Sequence, residues 1–121
     1  ATVLCWGAMV RPCVEAAIVA AEEGKDLEVI DLRTLSPLDD DTILTSVAKT
    51  GRAVVVHEAP GSVGLGAEIA ARIQERCFYA LQAPALRVTG YDIPYPPNRI
   101  EAEYLPDLDR VLDAVDRSLA Y

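Results

Sequence analysis

The sequence predicts a three-layer α/β fold, in which helices cover both faces of a parallel sheet. Apolar segments of strand length alternate with amphipathic segments along the 121 residues. The strand-like segments are almost wholly apolar, which is typical of parallel strands that are buried on both faces. Apolar residues make up 51% of the chain, enough for the core of one domain spanning residues 1–121.

The first predicted unit begins with a strand over Thr2–Trp6, which ends at Gly7. A helix follows, and Gly24 is placed to cap its C-terminus. Helical spacing predicts that this helix turns one apolar stripe toward the core: Val10, Val14, Ala17, Ile18 and Ala21.

The second predicted strand is Leu27–Asp31, and Asp39 is placed to cap the N-terminus of the next helix. That helix is expected to stop near Gly51, since glycine is a common residue at helix C-termini. Its apolar positions are Ile43, Leu44, Val47 and Ala48.

The third and fourth strands are predicted at Ala53–His57 and Ala85–Thr89, and a helix begins near Gly64 between them. The apolar side of that helix is Ile69, Ala70, Ile73 and Cys77. The Pro-rich stretch Tyr91–Pro106 favours neither a helix nor a central strand. A final helix over Asp107–Ala120 has one apolar stripe, formed by Leu108, Val111, Leu112, Val115 and Leu119.

The composition limits the classes of partner. A net charge of −8 argues against a nucleic acid or an anionic membrane surface as the partner. Apolar runs are far shorter than the roughly 18–20 residues that span a bilayer. The three cysteines are expected to be buried thiols in a reducing cytoplasm. Residues 101–121 carry six acidic and two basic side chains, which suits either a solvated helix face or a docking surface for a basic partner.

The carboxyl end of the third strand is the first candidate for chemistry, because ligands of open α/β sheets bind beyond such ends. His57 and Glu58 lie there, but neighbours in a strand point to opposite faces and do not automatically form a pair. A structural or interface role is the commoner outcome for such a histidine. As His57 is the only histidine, a metal site built on several histidines is excluded.

The turn after this strand carries Gly61, Gly64 and Gly66, whose spacing differs from the dinucleotide-binding fingerprint. These glycines could expose helix N–H groups to a phosphate, or serve a tight turn and close helix packing. No catalytic, cofactor-binding or metal-binding residue is assigned to this chain.

Several motifs together resemble one family. They are His57-Glu58-Ala59-Pro60, Gly64-Leu65-Gly66-Ala67-Glu68-Ile69, Arg87-Val88-Thr89-Gly90-Tyr91-Asp92-Ile93-Pro94-Tyr95-Pro96 and Glu103-Tyr104-Leu105-Pro106. Their order and spacing resemble the C-terminal domain of the beta subunit of thiamine-diphosphate-dependent 2-oxo acid dehydrogenase decarboxylases. The histidine-containing motif and the Tyr91–Pro96 segment are more similar to the branched-chain enzymes than to the pyruvate enzymes.

The resemblance implies a transketolase C-terminal fold, whose mixed five-stranded sheet begins with an antiparallel strand. That strand would precede Ala1, so four parallel strands in the order 2-1-3-4 are expected here. The chain, whose only methionine is Met9, is accordingly expected to be a piece of a longer beta subunit. A bacterial cytoplasm or a mitochondrial matrix is the expected location.

The resemblance also implies partners. In the family, thiamine diphosphate and magnesium lie between the alpha subunit and the N-terminal domain of the beta subunit, so this chain alone is expected to bind neither. The C-terminal domain contacts the alpha subunit and a second beta subunit, and docks the basic subunit-binding domain of the lipoyl acyltransferase core. Carried over by position, Tyr121 with its carboxylate and Asp116 become docking candidates. Gln82 stands where related chains tend to have an acid.

The resemblance assigns the remaining candidates, His57, Glu58 and the Gly61–Gly66 turn, to a subunit interface. Two alternatives stay open. One is the equivalent domain of a pyruvate dehydrogenase beta subunit. The other is a free-standing small α/β protein that binds an anion through His57 and the glycine turn.

Overall fold

The computed structural model describes all 121 residues and confirms the predicted sheet. Four parallel strands lie in the order β2-β1-β3-β4. The strands are β1, Thr2–Cys5; β2, Glu28–Asp31; β3, Ala53–Pro60; and β4, Leu86–Gly90. The helices are α1, Val10–Glu22; α2, Asp40–Thr50; α3, Leu65–Cys77; α4, Glu101–Tyr104; and α5, Leu108–Leu119.

The helices form the two outer layers. Helices α1 and α5 cover one face of the sheet, and α2 and α3 cover the other. Alternate side chains of the central strands fill the two cores, because successive strand residues point to opposite faces. Val54 and Val56 pack toward α1 and α5, whereas Leu4 and Val55 pack toward α2 and α3. All four side chains are fully buried.

The predicted helix caps are confirmed. The Asp39 carboxylate accepts a 3.0 Å hydrogen bond from the Thr42 N–H at the start of α2. Gly51 ends α2 in the left-handed region at φ 70°, and Gly24 follows α1 at φ 77°. Asp107, which was predicted only as the first residue of the final helix, caps α5 because its carboxylate accepts from the Arg110 N–H at 2.9 Å. These side chains satisfy donors that the first turn of a helix otherwise leaves free.

Only Val10 of the stripe predicted to be the core face of α1 packs against the core, and the rest of that prediction is wrong. Helix α1 buries a narrower stripe of small residues, Cys13, Ala16 and Ala20. Val14 is 44% exposed and Ile18 is 60% exposed. Small side chains let the helix axis approach the sheet closely, so the neighbouring stripe of larger apolar residues turns outward.

Three further predictions need correction. In α2, Ala48 is exposed, while the polar Ser46 is buried against the hydroxyl of Thr2 at 2.7 Å. Strand β3 continues to Pro60, three residues beyond the predicted end. The Pro-rich stretch is not wholly irregular, because a 3-10 turn at Asn98–Ile100 leads into α4. Pro94, Pro96 and Pro97 precede that turn and Pro106 follows α4, so neither the turn nor the helix contains a proline.

No helix here combines the length and the hydropathy that a bilayer crossing requires.

Candidate functional site

His57 is the centre of a packed cluster near the carboxyl end of β3. Its side chain is 1% exposed, and its ring stacks on Trp6 with centroids 5.2 Å apart. The start of α3 passes directly over the ring. A Cβ at Gly66 would lie 2.3 Å from His57 Nε2, and one at Gly64 would lie 2.8 Å from Cε1. The two glycines therefore make room for the imidazole, which fills the space that a phosphate would need.

The environment of His57 favours the neutral ring. Neither ring nitrogen has a hydrogen-bond partner within the chain. Burial lowers the pKa of His57, the positive charge of Arg87 lowers it further, and the backbone of Ala59 opposes the shift in part. The structure thus places the His57 ring inside the domain, beneath the start of α3.

Because His57 is the only histidine, its protonation can be followed without assignment. We expect its Cε1–H proton resonance to lie nearer the neutral than the protonated position at about pH 6.5, where an ordinary histidine is half protonated. The unfolded chain binds this proton more readily than the folded chain. Stability from this group is therefore fully present above about pH 6.5 and is lost as the pH falls below it. A titration midpoint at or above about 6.5 in the folded protein would contradict the sealed, neutral state of the ring.

The turn between β3 and α3 is held by side-chain hydrogen bonds at Gly61 and Ser62, and its backbone is strained at Val63. The Asp92 carboxylate accepts from the Ser62 N–H at 3.0 Å and from the Ser62 hydroxyl at 2.7 Å. These bonds hold the pKa of Asp92 below its usual range. Arg87 donates to the Gly61 carbonyl at 2.7 Å. Val63 is fully exposed at φ 59°, a region that β-branched residues avoid.

Glu58 points to the opposite face of the sheet from His57, as the strand alternation predicts. Its carboxylate would lie 3.9 Å from a Cβ at Gly7, so it stands near the carboxyl end of β1. The two neighbours therefore do not form an acid–base pair.

A groove of about 370 Å³ brings together two of the predicted docking residues. We call it the Tyr121 groove. It is lined by Gln74, Phe78, Leu81, Gln82, Ala83, Pro84 and Tyr121. The Gln82 N–H donates to the Gly51 carbonyl at 2.8 Å, which fixes this wall against the end of α2. The Tyr121 side chain is 72% exposed, so the groove is open to a partner.

Asp116 lies outside the Tyr121 groove. Its carboxylate accepts from the Lys25 ammonium at 2.6 Å, and Lys25 also binds Glu23. These two carboxylates raise the pKa of Lys25. The negative charge of Asp116 is thus already compensated by Lys25 within the chain.

The chain has neither a cluster of metal-ligating side chains nor an open glycine-lined phosphate cradle. No group of three or more histidine, cysteine, aspartate or glutamate side chains converges closely enough to hold a metal ion. The only glycine-rich turn at a helix start is occupied by the His57 ring.

Two parts of this surface were not predicted from the sequence. Phe78 in the Tyr121 groove is 58% exposed, and its neighbour Tyr79 is fully exposed. The sequence signal that could have indicated this surface is the pair of consecutive aromatic residues, Phe78 and Tyr79, just after an amphipathic helix. A second exposed aromatic cluster follows β4 and involves Tyr91 and Tyr95, in the stretch whose prolines indicated only that it favours neither a helix nor a central strand.

The family model described as "Transketolase, C-terminal domain" matches residues 1–111. The chain belongs to this family. A solved structure, "Split gene transketolase, inactive beta4 tetramer", superposes on the domain with a TM-score of 0.83 at 28% identity. The superposition covers 98% of this chain and 38% of that chain. The fold expected from the resemblance is therefore confirmed.

Curated relatives of this transketolase C-terminal domain are beta subunits. The chain is 56% identical over its whole length to "Pyruvate dehydrogenase E1 component subunit beta" of Leifsonia xyli, covering 36% of that protein. It is 53% identical over 98% of its length to "3-methyl-2-oxobutanoate dehydrogenase subunit beta" of Mycobacterium tuberculosis, covering 34% of it. "2-oxoisovalerate dehydrogenase subunit beta, mitochondrial" of Dictyostelium discoideum is 46% identical over 99% of the chain and is covered to 32%. The domain spans about a third of the length of these relatives.

Proposed function

We propose that this chain is the C-terminal assembly and docking domain of the beta subunit of a 2-oxo acid dehydrogenase decarboxylase. The observation that carries the proposal is the identity of 46–56% to such beta subunits over essentially the whole chain. The intact enzyme would use thiamine diphosphate and magnesium, held outside this domain, to decarboxylate a 2-oxo acid and acylate a lipoyl group. The domain would be one part of a longer subunit, in a bacterial cytoplasm or a mitochondrial matrix.

The substrate class is proposed to be the branched-chain 2-oxo acids. The motif around His57 and the Tyr91–Pro96 segment support this class, as do the names of the Mycobacterium and Dictyostelium relatives. The Leifsonia relative favours pyruvate as the second candidate. The test is to purify the natural full-length beta subunit with its alpha subunit and measure decarboxylation with an artificial electron acceptor. We expect a higher kcat/KM for 3-methyl-2-oxobutanoate than for pyruvate, and activity with neither would overturn the proposal.

Docking of the lipoyl acyltransferase core is proposed to use the Tyr121 groove. Its lining offers exposed aromatic and aliphatic side chains around Phe78, with no charged side chain among them. The net charge of −8 gives the chain the sign that suits a basic partner. Subunit contacts with the alpha subunit and the second beta subunit would then use other faces, including the turn that carries Val63.

Replacing Tyr121 with alanine in the intact enzyme is expected to weaken binding of the acyltransferase subunit-binding domain. Loss of an interface aromatic costs about 1–2 kcal/mol, so the Kd should rise by roughly 5- to 30-fold. Calorimetry measures the Kd, and activity with an artificial acceptor should stay unchanged. Ile18→Ala removes an equally exposed apolar side chain from α1 and serves as the control. Equal Kd values for Tyr121→Ala and the parent would remove the groove from the docking model.

A further inference from the structure

The segment after β4 carries an unusual density of exposed apolar side chains. Tyr91, Ile93, Tyr95 and Ile100 are each between 44% and 54% exposed, within ten residues. Three of them, Tyr91, Ile93 and Ile100, line a groove of about 230 Å³, which we call the Tyr91 groove. Its lining is Tyr91, Ile93, Pro96, Ile100, Glu103 and Tyr104. Contiguous apolar surface of this kind on a globular protein marks an interaction site.

The walls of the Tyr91 groove are held in place from beneath. Tyr104 is 3% exposed and meets Tyr91 and Tyr95 edge to face, with centroids 6.2 Å and 5.1 Å away. The Arg110 guanidinium lies 4.8 Å from the centre of the Tyr91 ring and donates to the Thr89 carbonyl. The ring positions are thus set before any partner arrives, which lowers the entropy cost of binding.

The hydroxyl group of Tyr95 is held by a hydrogen bond to α4. Its hydroxyl donates to the Glu101 carboxylate, and this bond raises the pKa of Tyr95 to about 12. The hydroxyl therefore stays protonated as a donor at neutral pH. Glu103, in contrast, takes part in none of the nine salt bridges of the chain and stands free at the groove.

Size and charge identify the kind of occupant. A volume of about 230 Å³ is below the roughly 300 Å³ at which small-molecule sites begin, and suits one or two side chains of a polypeptide. Glu103 is the only charged side chain that lines the groove, and the nearby Arg110 guanidinium is already engaged with the Tyr91 ring and the Thr89 carbonyl. Two copies of this face would oppose like charges, which disfavours self-association and favours a basic partner.

We propose that the Tyr91 groove binds a basic, extended segment of another protein, with a proline or aliphatic side chain packed against Tyr91 and Ile93. A lysine or arginine of that segment pairs with Glu103. Aromatic-lined grooves recognise extended proline-containing segments in this way because such segments need few backbone hydrogen bonds. The inference rests on this surface alone and does not depend on the proposed function or on the Tyr121 groove.

The test places p-benzoylphenylalanine at position 93 of the natural full-length protein, in its own cells, and maps photo-cross-links by mass spectrometry. The expected result is a cross-link to a net-positive segment of a different protein, with a proline or aliphatic residue at the cross-linked point. The same probe at position 18 of α1 is the control. Cross-links only to a second copy of this protein, only to acidic or neutral segments, or no more than the control gives, would each overturn the proposal.

Affinity then tests the two halves of the recognition separately. A synthetic peptide of the mapped segment is titrated against the full-length protein. We expect Ile93→Ala to raise the Kd by about tenfold and Glu103→Gln by about threefold, with a weaker salt dependence in the second case. Glu75→Gln removes an exposed acid from α3 and should leave the Kd unchanged. Identical Kd values for all four proteins would show that the cross-link was incidental, and the proposal would fall.

Discussion

Replacing Gly90 with alanine is expected to destabilise the domain by about 3 kcal/mol, near the upper end of the usual cost of overpacking a core. The added Cβ would lie 2.4 Å from the Glu58 carbonyl oxygen and 2.5 Å from the Tyr104 ring. The first contact is with the backbone of β3, which pairs directly with Gly90 through Pro60. Relief therefore requires the two strands to separate, since no side-chain rotation can provide it.

Urea denaturation measures this cost, with Gly24→Ala as the matched control. A Cβ at Gly24 meets nothing within 4 Å, so only its left-handed φ of 77° adds strain, which costs roughly 1 kcal/mol. Equal losses in the two variants would show that β4 can move away from β3. The Gly90 variant should also lose the Tyr91 groove, because Tyr104 beneath it is displaced.

The sheet was predictable because the residues that indicate each strand lie within that strand. Val54, Val55 and Val56 are consecutive apolar residues that point to both faces, which only a strand covered on two sides accommodates. The caps at Asp39 and Gly51 were predictable for the same reason, since each acts on its own helix end. In contrast, α1 has two adjacent apolar stripes, and only the distance between helix and sheet decides which one is buried.

The surfaces were less predictable, because they depend on contacts between residues far apart in sequence. Tyr121 and Gln82 meet only when the end of the chain returns to the end of α3. The Tyr91 groove needs Tyr104 beneath it and Arg110 beside it, on two different helices. The glycines of the Gly61–Gly66 turn indicated that another group packs closely against the backbone there. The sequence did not show that the close neighbour is the His57 ring of the same chain.

That close neighbour determines the expected effect of Gly66→Ala. Alanine favours a helix over glycine by about 1 kcal/mol, so an exposed site in α3 would gain stability. Here the new Cβ would lie 2.3 Å from His57 Nε2 and 2.5 Å from Cδ2. The His57 ring cannot withdraw, because Trp6 stacks on it and the side chain is 1% exposed. We expect a net loss of roughly 2–3 kcal/mol.

A double-mutant cycle with His57→Ala identifies the cause. His57→Ala alone should also destabilise the domain, because it leaves a cavity where the ring packed. In the double variant the methyl group added at position 66 enters that cavity without a clash, so the two losses should not add, with a coupling of about 2 kcal/mol. His57→Ala combined with Gly24→Ala is the control pair and should be additive. Additivity of His57→Ala with Gly66→Ala would mean that α3 shifts as a whole, and that the glycine is not needed to accommodate the buried histidine.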